Sequence, residues 1–135
     1  CPFNCQSTTF RKEVFALLYL PAFVTPRESD ITRGLIAQPL LWSKNYALGF
    51  TDAKVVQERN PHNYLRDFGA ELLIYRYSEK ILATAKDAVS KDKELEGNLK
   101  SAYRQLVRDG LIPETEIALL TAWIRDVARL TALKK

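Results

Sequence analysis

The sequence predicts an all-α fold, a single-domain helical bundle of about five to six helices with a long central helix starting near Pro61. Three observations predict it. Apolar residues recur every three or four positions through the C-terminal two-thirds, no run alternates apolar and polar residues as a half-buried strand does, and capping signals stand at the junctions. The 135 residues fit one domain, which at this size buries roughly two-thirds of the surface of the unfolded chain. At 47% hydrophobic and 27% charged, the chain is neither disordered nor lipid-embedded in bulk.

Residues 1–8 lack apolar periodicity and read as an N-terminal tail, which leaves residues 9–135 as a single helical domain. Thr8 or Thr9 caps a first helix carrying Phe10, Val14, Leu17 and Leu18, and Pro21 ends it near Tyr19 because proline has no amide hydrogen and clashes with the preceding turn. Thr25, Pro26 and Glu28 are the sharpest local signal: a cap, a proline at the first helical position and a glutamate that closes a capping box. The helix they start runs to about Ala37, ahead of Pro39, and buries Ile31, Leu35 and Ile36. Residues 40–50 hold Leu40, Leu41, Trp42, Tyr46, Leu48 and Phe50 with little regular spacing and read as short helix or loop. Thr51 or Asp52 caps a further helix to about Arg59, which Asn60 and Pro61 terminate.

Residues 60–90 form the candidate central helix. Leu65, Phe68, Leu72 and Tyr75, continued by Leu82 and Val89, share one face, and Ile74, Tyr77, Ile81 and Ala85 an adjacent one; apolar residues over most of the circumference belong inside a bundle. After a charged stretch at residues 91–96, Leu95, Leu99, Ala102, Tyr103, Leu106 and Val107 make one stripe, closed by Gly110 in the left-handed conformation that ends helices. Pro113 and Glu114 open a final helix with Ile117, Leu120, Trp123, Ile124, Val127 and Leu130 inward.

Charge and cysteine usage narrow the function little. The net charge of +4, from 20 basic against 16 acidic residues spread along the chain, is no electrostatic footprint. The apolar run from Val14 to Val24 is broken by Pro21 and falls short of the roughly 20 residues that span a bilayer. Cys1 and Cys5, both in the first five residues, cannot form a disulfide framework for the fold. Cys1 resembles the lipid-modified first residue of mature bacterial lipoproteins, which makes it a candidate lipid anchor; a redox pair and an incidental boundary are the other two readings. The resemblance implies the cell envelope, and without it the cytoplasm is the expectation.

No constellation commits the chain to a chemistry. His62, the single histidine, stands at a helix start with Glu58 and Asp67 as its nearest carboxylates and reads as exposed; the Glu-x-x-His repeats of metal-binding bundles and a glycine-rich phosphate loop are absent. No catalytic, cofactor-binding or metal residue is therefore assigned. The expectation is a non-enzymatic helical protein-interaction or assembly module without a cofactor, soluble part of an envelope lipoprotein if Cys1 is lipidated. Its partner is another protein, and Trp42, Tyr46 and Phe50 are the candidate partner surface. Two alternatives stand beside it. One is a weak nucleic-acid binder with Arg125 and Arg129 as candidate phosphate contacts, on a helix-glycine-helix pattern that departs from the DNA-binding motif at Leu106 and Glu116. The other is a carrier of a small apolar ligand between helices.

Overall fold

The capping box written in Thr25, Pro26 and Glu28 opens the most deeply buried helix of the protein. In the computed structural model, which describes residues 3, 6–58 and 61–132, the Glu28 carboxylate reaches back to the Thr25 amide, and α1 runs from there over Pro26–Ser43. A 3-10 helix at Lys12–Leu18 precedes it, and α2 (Tyr64–Ala70), α3 (Leu72–Asp87), α4 (Leu95–Arg108) and α5 (Glu116–Ala132) follow. Among the described residues there is no strand, so the all-α bundle is the fold, with five α-helices. None of these helices is long and apolar enough to cross a membrane.

Three local expectations are corrected. First, α1 continues through Pro39 to Ser43 instead of stopping near Ala37. An interior proline costs about 3 kcal/mol. Burial of Ile36, Leu40 and Leu41 contributes about 1.5–3 kcal/mol for each side chain and outweighs it. The helix ends one turn later at Asn45, whose φ of 59° is left-handed, with Asn45 N–H bonded to the Trp42 carbonyl (3.1 Å) and Tyr46 N–H to that of Leu41 (2.9 Å). Gly110, with φ of 70°, closes α4 the same way through Leu111 N–H on Leu106 (3.0 Å), as the sequence predicts.

Second, no helix forms over residues 51–58, which have no regular secondary structure and are exposed. A short helix is marginal in water unless an apolar face is packed. Here Val55 and Val56 both face solvent. Third, the stretch after Pro61 is two helices divided at Glu71, and it is not the centre of the bundle: Leu65, Phe68 and Tyr75 are exposed, and burial in α3 is confined to Ile81, Thr84 and Ala85. The centre belongs to α1 and α4. The predicted stripe of α4 is buried at Leu95, Leu99, Ala102, Tyr103 and Leu106, and α4 packs on α1, α3, α5 and the 3-10 helix. Phe3, in the stretch read as a tail, also lies in the core, with its backbone so close to Gly34 that a Cβ there would meet the Phe3 carbonyl at 2.6 Å.

Polar groups inside the bundle are tied. Glu116, fully buried at the first turn of α5, accepts from the Tyr19 hydroxyl and from the amides of Ala22 (3.0 Å) and Phe23 (3.1 Å), joining α5 to the segment between the 3-10 helix and α1. Trp123 adds a bond from its indole N–H to the Ala16 carbonyl (2.9 Å). Between α3 and α4, the Thr84 hydroxyl donates to Asp109 (2.8 Å) and holds that carboxyl below the usual carboxylate range. Asn98, also fully buried, closes the turn before α4 by accepting from Ser90 N–H (2.9 Å) and donating to the Ser90 carbonyl (2.8 Å).

Glu116→Ala removes the acceptor for three donors and leaves a cavity, so it is expected to cost about 3–5 kcal/mol in urea unfolding. Glu116→Gln, which keeps an acceptor oxygen, should cost clearly less. A second expectation concerns alkali. Burial, then the bond to Glu116, raises the Tyr19 hydroxyl far above an ordinary phenol; burial and the Glu116 charge do the same to Tyr103. The unfolded chain releases both protons near pH ~10 while the folded chain still holds them. The stability they contribute is therefore complete below pH ~10 and declines as pH rises beyond it. Tyrosinate absorbance from Tyr19 and Tyr103 should appear only as the helical circular dichroism is lost, and Tyr19→Phe should remove part of that late absorbance.

Candidate functional site

A cleft of about 770 Å³ lies where the start of α1 faces α2 and the first turn of α3. That volume lies within the range of small-molecule sites. Its walls carry Arg27, Asp30, His62, Asp67 and Glu71, with the rings of Tyr64, Phe68 and Tyr75 alongside.

Local rules place each group. Asn63 caps α2 by accepting from Arg66 N–H (3.1 Å), and a cap turns the residue before it back over the fourth helical residue. An apolar pair commonly occupies those two positions; here they hold His62 and Asp67, with ring Nδ1 2.8 Å from Oδ2. The carboxylate can only accept, so in the neutral imidazole Nδ1 carries the hydrogen and Nε2 keeps its lone pair. Asp67 and Glu71 are four residues apart and share a face, and Arg27 from α1 bridges them at 3.2 and 2.9 Å. His62 stacks on Tyr64 (6.4 Å, 18°), and Phe68 lies 5.1 Å from Tyr75.

The break at Glu71 is what brings these residues together. Thr25 Oγ1 donates to the Ala70 carbonyl (2.6 Å), and Leu73 N–H donates to Glu28 (2.8 Å), so the backbone at the division bonds to the capping residues of α1. Released from the axis of α3, α2 stands beside Arg27. Among the described residues no group of three or more histidine, cysteine, aspartate or glutamate side chains is placed to hold a metal ion.

The residues singled out from sequence lie elsewhere. Trp42 and Phe50 are exposed, whereas Tyr46 packs partly against the core. Arg125 and Arg129 lie exposed on α5, where Arg125 pairs with Asp126 (3.3 Å). Cys1 lies outside the described residues. A second groove, between the 3-10 helix and α5, is apolar but only about 180 Å³, below the size of most ligand sites.

A family model, STELLO glycosyltransferases, matches residues 27–133. The chain belongs to that family. No curated protein and no solved structure matches it. Membership in a glycosyltransferase family overturns the expectation of a non-enzymatic interaction module, together with its nucleic-acid and carrier alternatives, and points to glycosyl-transfer chemistry. The physical reason for the error is that the cleft joins residues from 6 to 75 across two helix junctions, so no local motif spells it. The one signal within reach of sequence was the cap at Asn63, which sets His62 over Asp67.

Glu28→Ala tests what positions the cleft. It leaves Leu73 N–H without its acceptor, so the Leu73 amide should exchange with solvent faster and the fold should lose about 1–3 kcal/mol. Unchanged protection at Leu73 would show that the division of α2 from α3 has another origin.

Proposed function

We propose that this member of the STELLO glycosyltransferases works in glycosyl transfer and that the cleft is where the attacking hydroxyl is activated. The His62–Asp67 pair, set in a ligand-sized cleft within the stretch the family model matches, carries this reading. Transfer of a sugar requires an acceptor hydroxyl to lose its proton as its oxygen bonds to the anomeric carbon and the leaving group departs with the bonding electrons. His62 Nε2 takes that proton. Asp67 is a positioning residue: it fixes the tautomer and stabilises the imidazolium that forms. Arg27 in turn holds Asp67 and Glu71 in place. The carboxylates and the amide of Gln57 supply partners for sugar hydroxyls.

The test is transfer from a panel of nucleoside diphosphate sugars to oligosaccharide acceptors, followed by release of nucleoside diphosphate and by product mass. His62→Ala should lower the rate by about 10²–10⁴-fold with the helical content unchanged, the range for loss of a proton-accepting group. Asp67→Asn, which takes away the charge that stabilises the imidazolium and lets an amide N–H face Nδ1, should lower it in the same direction. A rate indifferent to His62, or no transfer from any donor of the panel, overturns the reading.

A further inference from the structure

Resting on that reading, we infer that the cleft is the acceptor subsite and that it selects a neutral, polyhydroxylated chain end over the anionic nucleotide end of the donor. The described lining residues carry three carboxylates, Asp30, Asp67 and Glu71, against one guanidinium, Arg27. That guanidinium is already shared between Asp67 and Glu71 and offers little positive field to a phosphate. A diphosphate entering here meets more negative than positive groups among the described lining residues.

The helix starts at the cleft do not reverse this. Helix N-termini attract phosphates through free first-turn amides. At the start of α1, Pro26 has no amide hydrogen, and the amides of Glu28 and Ser29 bond to the Thr25 carbonyl at 3.0 and 3.1 Å. At the start of α2, Asn63 takes the amides of Arg66 (3.1 Å, side chain) and Asp67 (2.9 Å, carbonyl). Two of the first-turn donors that would cradle a phosphate, the amides of Glu28 and Arg66, are spent within the protein.

Sugar chemistry fits what remains. A pyranose ring has a face of C–H groups and a rim of hydroxyls. Tyr64, Phe68 and Tyr75 expose more than half of their surface and offer flat apolar faces for the first. Carboxylate oxygens and the free nitrogen of His62 accept hydrogen bonds from the second. The α2 helix buries no residue, so its aromatic side chains are not explained by the core.

The experiment is saturation-transfer NMR on the full chain with a set of neutral tetrasaccharides differing in linkage and with uridine diphosphate as competitor. Saturation should reach the ring C–H protons of at least one tetrasaccharide, and uridine diphosphate should not displace it. Phe68→Ala and Tyr75→Ala, checked for unchanged circular dichroism, should each weaken tetrasaccharide binding about tenfold. Asp30→Asn should narrow the preference for the neutral ligand. The two readings separate in His62→Ala: tetrasaccharide binding weakens by no more than the loss of one hydrogen bond, about tenfold, while transfer falls by about 10²–10⁴-fold. Competition by uridine diphosphate, or no tetrasaccharide binding at all, overturns the acceptor assignment even where transfer depends on His62. Tetrasaccharide binding with transfer indifferent to His62 leaves the acceptor assignment standing and removes His62 as the base.

Discussion

The contact between the α1 cap and the α2–α3 division is the constraint from which the site follows. A helix start leaves amides without partners and a helix end leaves carbonyls, and burial makes each unpaired group costly. This protein satisfies both ends at one place. Glu28 closes the cap of α1 and also takes Leu73 N–H at the opening of α3, while Thr25 donates to Ala70 at the close of α2. Glu28 is itself almost fully buried. A continuous helix over residues 64–87 would pair those backbone groups internally and leave the buried carboxylate of Glu28 short of a donor. The broken helix is the arrangement in which every one of these groups has a partner.

The rest of the fold holds that junction in place from behind. α1 packs on α3 and α4, and α4 packs on α5 and the 3-10 helix, with the apolar core between them. Glu116 ties the segment leading into α1 to the first turn of α5. α2 contributes nothing to this core. Its position depends on the Asn63 cap, on the Thr25 bond to Ala70 and on the ion pairs to Arg27, and exposed ion pairs contribute about 0–1 kcal/mol each. The cleft therefore has one rigid wall, α1, and one wall near the low-stability end of the structure, where binding elements are commonly found.

The sequence was legible where one level of organisation decided the outcome. The stripe from Leu95 to Leu106 and the stop at Gly110 are buried and placed as periodicity and capping predict, because nothing tertiary competes with them. The start of α1 at Pro26 was legible for the same reason. The errors fall where packing overrides a local rule: burial of Leu40 carries α1 through Pro39, and Glu28 divides a helix whose apolar pattern runs on without interruption. Residues 51–58 show the converse, a capping signal with no apolar face for a helix to bury. Asn45, in the left-handed conformation, ends α1 with no glycine to announce it.

The site was missed for a related reason. Catalytic motifs legible in sequence are those in which one loop or helix supplies several groups, such as paired histidines on a helix or a glycine-rich turn. Activating an acceptor hydroxyl demands less of the protein than metal or covalent chemistry does. It needs one proton acceptor, a partner to orient it, and a surface that holds the acceptor. A chain with a single histidine can meet that demand provided a carboxylate fixes the tautomer, and the turn at Asn63 supplies one five residues away. The remaining groups need only face the same space, and Arg27 and Glu71 do so because α1 and α2 meet. The absence of a local motif is therefore no argument against the catalytic role proposed for this cleft, which depends on which helix ends are brought together.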